Sequence, residues 1–281
     1  MSRGTHGNDE PSLTLQEAWK TERPITRLLR RVACNICTLP DSGWLGLTPL
    51  RTHILICGLP RSGSTLLQLM MDTVLPAARK FKKEIRGWRA ATSRLRNHAV
   101  MLTKRPRDIL EIGRVRAFYA DRDAALRVIV TIRDPRDALT SRHPRSAKHR
   151  PYHISTAVWH ELYPALLRQV RDDRNMVVRY EQLVADTGRI ELDIERFVGE
   201  RFAQPFSQFQ DSIPHQFKTG PLNGIRAVDT SSVGRWQAPE HEARIGEILH
   251  DVPDFAQHLI ELGYETDAAW AAPYVERRRA A

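Results

Sequence analysis

The residues best suited to chemistry are Gly58-Leu59-Pro60-Arg61-Ser62-Gly63-Ser64-Thr65, directly after the apolar run His53-Ile54-Leu55-Ile56-Cys57. A loop of small and hydroxylated residues between a buried strand and a helix offers several backbone N–H groups and the positive end of the helix dipole, which together bind phosphate-like anions. The spacing is that of G-x-x-x-x-G-K-[ST], but Ser64 stands where that loop carries its lysine. What is lost is the cation that reaches a γ-phosphate, and a cationic side chain is supplied three residues earlier by Arg61. Arg61, Ser62, Gly63, Ser64 and Thr65 are therefore candidate anion ligands, for a group that needs less positive charge than a triphosphate and no bridging Mg²⁺. The competing reading is an ordinary strand-to-helix turn.

In this setting Pro60-Arg61-Ser62-Gly63-Ser64-Thr65 resembles the 5'-phosphosulfate loop of the sulfotransferases that use 3'-phosphoadenosine-5'-phosphosulfate (PAPS). The run Val128-Ile129-Val130-Thr131-Ile132-Arg133-Asp134-Pro135-Arg136-Asp137-Ala138-Leu139-Thr140-Ser141 resembles the 3'-phosphate block of that family, in which a strand ends in arginine and a serine follows eight residues later on a helix. An arginine at a strand end and a hydroxyl one to two helical turns on can converge on one phosphate. The block thus implies Arg133 and Ser141 as ligands, and Arg145 lies one further turn along on the same face. Arg136 and Arg142 read as solvated surface charges. Arg179-Tyr180-Glu181-Gln182-Leu183 is similar to a Y-E-x-L element, which implies that Tyr180 contacts adenine, although a tyrosine at a strand end often only plugs the sheet. Gly234-Arg235-Trp236 resembles the late basic-Trp element whose loop closes over the nucleotide, which adds Arg235. These blocks run from residue 53 to residue 264, about three quarters of the chain.

Sulfuryl transfer to an alcohol, phenol or amine needs a base for the acceptor proton and cations for the charge that builds on the leaving oxygen. Arg61 is one such cation. Lys104 is the second, because it follows the apolar run Ala99 to Thr103, and ligands of open parallel sheets sit at strand carboxyl ends; Thr103-Lys104-Arg105-Pro106 also resembles the family's K-x-P element. No K-T-H-like element is present, whereas Lys83-Glu84-Ile85-Arg86 resembles the E-x-R element of the tyrosylprotein sulfotransferases, which implies Glu84 as the base. Nearby Lys82, Lys83 and Arg86 would lower the pKa of Glu84 and weaken it as a base unless burial offsets them, so a surface residue paired with those lysines is the alternative. His53 and His98 lie at or near strand starts, away from the site, and His143, His149 and His153 are outside candidates.

The elements that must position these residues follow from periodicity. Short apolar runs at His53–Cys57, Ala99–Thr103, Arg127–Ile132 and Asn175–Tyr180 each precede a stretch with helical spacing. Near-continuous apolar strands alternating with helices predict an α/β fold of P-loop nucleotide-binding type, a parallel sheet covered by helices on both faces. Residues 1–50 read as an N-terminal helical and loop segment, with a leading helix over 13–32 interrupted at Pro24, and 51–281 as a single α/β domain. The last third reads as mostly helical, with a loop from Thr219 to Ser232 and one helix from Pro239 to Leu262 ending at Gly263.

Composition bounds the rest. The chain has 281 residues, 41% of them hydrophobic, enough to build a sizeable core. No apolar run approaches the ~20 residues that span a bilayer, and Met1–Glu10 lacks the order of a signal peptide, so a cytoplasmic protein without a transmembrane segment is expected. Three cysteines do not make a disulfide framework, and Cys34-x-x-Cys37 has no second ligand pair, so no metal is expected. A net charge of +10 draws anions of any kind, but the basic residues are scattered and no nucleic-acid motif occurs, so no nucleic acid is expected. A P-loop small-molecule kinase would carry lysine at position 64, and a degenerate binding module would have lost Arg61, Arg133 or Ser141. The acceptor stays open among small-molecule, carbohydrate, lipid and peptide alcohols or amines, and the oligomeric state is not legible.

Overall fold

A computed structural model describes residues 24–43, 46–81, 84–93, 97–142, 151–212 and 230–280. Arg145, His143, His149 and most of the Thr219–Ser232 loop lie outside the described residues.

The four apolar runs form the four strands β1 (Thr52–Gly58), β2 (Val100–Lys104), β3 (Ala125–Ile132) and β4 (Met176–Arg179), ordered β2-β1-β3-β4 with every pairing parallel. Every residue of β1 is buried, which explains why the strand reads as an unbroken apolar run: both of its faces are covered. Side chains alternate across it. Leu55 and Cys57 join Met101, Val128 and Val130 in a core beneath one layer of helices, while Ile54 and Ile56 join Leu102, Ile129 and Val178 in a second core on the opposite face.

The second core is closed by α2 (Ser64–Val74) and α8 (Thr187–Val198), through Leu67, Met70, Val74, Ile190 and Ile194. The first is closed by α3 (Gly87–Ser93), α4 (Ile112–Tyr119), α6 (Thr156–Arg171), α9 (Glu242–Asp251) and α10 (Phe255–Glu261). Trp88, Phe118, Trp159 and Phe255 are the large side chains of that layer. The sheet reads as expected, an α/β layer fold of P-loop type. Strand order reverses at β1, whose first crossover leads to β2 on one side while β3 lies on its other side. In open parallel sheets the crevice at the carboxyl ends beside such a switch is where ligands bind.

Some boundaries differ from expectation. Of the leading helix expected over 13–32, residues 13–23 lie outside the described residues; the described part is α1 (Pro24–Thr38), which runs past residue 32, and proline is well tolerated in a first helical turn. Cys37 and Thr38 belong to this helix, and a 3-10 turn follows over Leu39–Ser42, so the segment before Pro49 is less loop-like than its prolines and glycines imply. The single helix expected from Pro239 to Leu262 is a 3-10 turn at Pro239–His241 followed by α9 and α10. Pro253 causes the break, because its missing N–H and fixed φ end the first helix at Val252. The stop at Gly263 holds, with φ 72°.

Candidate active site

The loop after β1 is shaped by backbone positions that few residues tolerate. A Cβ at Gly58 would lie 2.1 Å from the Thr131 carbonyl oxygen, so only glycine lets β1 and β3 approach where the loop leaves the sheet. Gly63 has φ 81°, and its missing Cβ would sit 2.5 Å from Cδ2 of Tyr180. Arg61 is left-handed at φ 66°, the one non-glycine with positive φ among the described residues; such strain persists only where the surroundings over-determine it. The first bond of α2 runs from Leu67 N–H to Gly63 O at 2.9 Å. The N–H groups of Ser64, Thr65 and Leu66 therefore have no carbonyl to meet within the helix.

Ser62 departs from the role expected of it. Its N–H donates to Leu59 O at 3.3 Å, and its buried hydroxyl lies 2.5 Å from Leu59 O and 2.7 Å from the Thr131 hydroxyl. Ser62 thus ties the loop to β3, and its side chain and N–H are committed to the fold, not to an anion.

Three cations converge on the carboxyl ends of the strands. Arg61 Nε donates to Ser141 Oγ at 2.9 Å, joining residues 80 positions apart. Burial, then the neighbouring charge of Arg133, pushes Arg61 below its ordinary pKa, with Tyr180 acting the other way. Arg133 leaves the end of β3, lies over the Tyr180 ring at 4.7 Å, and has a buried Nε with no hydrogen-bond partner. Two guanidinium groups repelling each other, one with an orphaned donor, fit a multiply charged anion. Ser141 does not sit on a helix as expected. The short helix α5 (Pro135–Thr140) ends one residue earlier, and Ser141 is in extended conformation just past it.

Lys104 is the last residue of β2 and is 6% exposed. Its ammonium donates to Thr65 Oγ1 at 3.1 Å and to Glu84 Oε1 at 2.5 Å. The structure thus brings Glu84, Lys104 and Thr65 into one chain of contacts. The partner of Glu84 is Lys104, whereas Lys82 and Lys83 lie outside the described residues. The segment behind Glu84 is fixed by Asp108, which accepts from Gly87 N–H at 2.7 Å and from Arg105 at 3.1 Å, and whose carboxyl burial pushes up to about 6. His53, the second residue of β1, is buried between Thr103 and Tyr119 and lies opposite Met101 in register, whereas Lys104 lies opposite Ile56.

With this arrangement in place, the family model described as the sulfotransferase domain matches residues 51–223, more than half the chain. The chain belongs to the sulfotransferase-domain family. Sulfuryl transfer is the chemistry of that family, and the cradle, Arg133 and Lys104 all lie within the matched segment. Among solved structures, the chain is similar to a sulfotransferase domain from the curacin biosynthetic pathway, at 17% identity over 72% of this chain and 98% of that one, TM-score 0.49. It is also similar to sulfotransferase STF9 from Mycobacterium avium, at 13% identity over 89% and 90%, TM-score 0.47, and to mouse sulfotransferase SULT7A1 complexed with PAP, at 12% over 82% and 96%, TM-score 0.43. No curated protein matches the chain.

Sequence reasoning about this sulfotransferase domain missed Asp137. Its buried carboxylate accepts from Gly234 N–H and Trp236 N–H, each at 2.9 Å, and pairs with Arg133 at 3.2 Å. Arg133 also donates to the Ser232 carbonyl. One side chain therefore ties the late Gly-Arg-Trp turn to the strand-end arginine; the i,i+4 spacing of Arg133 and Asp137 was the available signal. Arg235 itself is exposed, and the turn is held through backbone and Trp236. Arg136 corrects an expectation. It is not solvated but 4% exposed, paired with Asp134 at 2.8 Å and Glu265 at 2.5 Å, and lies over Trp236 and Trp270 at 3.9 and 4.6 Å. The other arginine read as a surface charge, Arg142, is exposed.

Proposed function

We propose that the chain transfers a sulfuryl group from PAPS to a hydroxyl or amine of an acceptor and releases adenosine 3',5'-bisphosphate. The observation that carries this reading is the 2.9 Å contact between Arg61 and Ser141, which joins the loop after β1 to the segment after β3 across the switch point. Two phosphate-binding elements meeting there suit a nucleotide with charge at both its 5' and 3' positions.

In this reading the N–H groups at the start of α2, with Gly63, Ser64, Thr65 and Arg61, hold the 5' phosphosulfate. Arg133 and Ser141, and Arg145 by its spacing, hold the 3' phosphate. Tyr180, packed between Gly63 and Arg133, offers its ring to the adenine, and Arg235 adds charge from the late turn. Lys104 has three N–H donors, and with Thr65 and Glu84 taking two, the third is available to the oxygen on which charge builds as the bond to sulfur breaks. Glu84 takes the acceptor proton as the new bond forms. Its carboxylate is half exposed, at 51%, so an acceptor can reach it from solvent. Groups fixed before the reaction stabilise developing charge without reorganising, which is where most such catalysis originates.

The test is calorimetric titration of the purified protein with adenosine 3',5'-bisphosphate, adenosine 5'-monophosphate and ATP, without added Mg²⁺, alongside Arg133→Ala. Tight binding that needs the 3' phosphate and weakens roughly 10- to 100-fold in Arg133→Ala is expected, the value of a charged hydrogen bond. Absence of binding, or a preference for Mg·ATP, would overturn the reading.

A further inference from the structure

The face of α1 that points away from the body is apolar. Ile25, Leu28, Leu29, Val32 and Ile36 are 76%, 64%, 66%, 51% and 56% exposed, and their spacing of i, i+3, i+4, i+7 and i+11 sets them in one stripe. The opposite side of the helix seats the buried Cys34 in the core, where α1 packs on α3. A helix that served only the fold would turn its stripe inward. The charged residues of α1 are all basic: it contains Arg27, Arg30 and Arg31 and no aspartate or glutamate.

We propose that α1 docks this sulfotransferase domain on the surface of an anionic phospholipid bilayer, with Ile25, Leu28, Leu29, Val32 and Ile36 entering the headgroup boundary. An exposed apolar stripe on a helix whose only charged residues are arginines is the composition of a helix that lies in the membrane interface. The net charge of +10 adds attraction to anionic lipid. At 15 residues α1 is about 22 Å long, too short to span. No described helix is long and apolar enough to cross a membrane. A second copy of the chain fits the stripe less well. Five partly exposed aliphatic side chains offer on the order of 300–500 Å², short of the ~800 Å² that each partner contributes to a stable complex. Because α3 starts three residues after Glu84, docking through α1 links the bilayer to the segment that carries the candidate base.

Sedimentation of the full chain with phosphatidylcholine vesicles, with and without phosphatidylserine, tests this. The chain should pellet with the phosphatidylserine vesicles, at least tenfold more weakly with phosphatidylcholine alone, and less at high salt. Leu28→Glu/Leu29→Glu should remain in the supernatant while keeping the parent far-UV spectrum and Tm, and Arg30→Glu/Arg31→Glu should bind more than tenfold more weakly. A parent chain that stays in solution with phosphatidylserine vesicles, or a leucine variant that pellets like the parent, overturns the proposal. So does a parent dimer in light scattering that Leu28→Glu/Leu29→Glu dissociates, since the stripe would then belong to a second copy.

Discussion

At the scale of single residues, the contact between Lys104 and Glu84 joins the two groups to which the proposed chemistry assigns opposite tasks. Lys104 is buried and immobilised between Thr65 and Glu84, whereas Glu84 is half exposed, so only one end of the pair is open to an acceptor. Glu84→Gln keeps the shape and the acceptor oxygen for Lys104 but cannot take a proton. Single-turnover assays with a genuine acceptor should show the rate falling roughly 10²- to 10⁴-fold, the range of general-base catalysis, while calorimetry finds adenosine 3',5'-bisphosphate bound as by the parent. A Glu84→Gln enzyme with full turnover would remove Glu84 from the role of base. What was readable in the sequence is position: Arg61 lies in the loop after β1, and Lys104 and Arg133 stand at strand ends. Ser62 was misread because its type suits a phosphate equally well, and only the position of Thr131 on the neighbouring strand shows that the hydroxyl is already taken.

At the scale of elements, the proposed nucleotide side of the site is assembled from four pieces that meet through few side chains: the loop after β1, the end of β3, the start of α7 (Tyr180–Ala185), and the Gly-Arg-Trp turn. Gly63 admits the Tyr180 ring, Tyr180 supports Arg133, and Asp137 ties Arg133 to the turn. Asp137→Ala should therefore act in two ways at once. It leaves two backbone N–H groups of the turn unpaired and removes the anion that orients Arg133. Buried donors without partners cost about 1–3 kcal/mol each. Expected is a lower Tm together with adenosine 3',5'-bisphosphate binding weakened at least tenfold, and faster proteolysis in the turn that bound nucleotide suppresses. A variant that loses Tm but binds nucleotide like the parent would make Asp137 a purely structural residue. Apart from the i,i+4 pair of Arg133 and Asp137, these links were not legible beforehand, because they join residues distant in sequence. The strands were legible, since burial on both faces writes itself as an apolar run, whereas the break at Pro253 was hidden inside a helical period that continues on both sides of it.

At the scale of the whole molecule, the parallel sheet and its two covered faces follow from the pattern of apolar runs, but the charges that the fold buries do not, and they set how stability responds to pH. Asp108 is 1% exposed, and burial raises its carboxyl from 3.8 to about 6, against the opposing pull of the Gly87 N–H and Arg105. Between those values the folded chain holds a proton that the unfolded chain has released. Its contribution to stability is fully present below the unfolded pKa and is lost as pH rises through the folded one. Two pH units correspond to roughly 3 kcal/mol in total, of which about 1–1.5 kcal/mol falls between pH 5 and pH 7.5. His241 and His258 have the reverse effect, since burial lowers both and unfolding lets them charge as pH falls below their ordinary value. Comparing the parent with Asp108→Asn cancels the histidines, which both proteins share. The amide keeps an acceptor for Gly87 N–H and cannot ionise, so the variant is spared the growing cost of the carboxylate. Urea unfolding should show the stability of Asp108→Asn relative to the parent improving by about 1–1.5 kcal/mol from pH 5 to pH 7.5. A difference that stays constant across that range would mean that Asp108 titrates alike in the folded and unfolded chains, and that the carboxylate holding the segment behind Glu84 is charged at no cost to the fold.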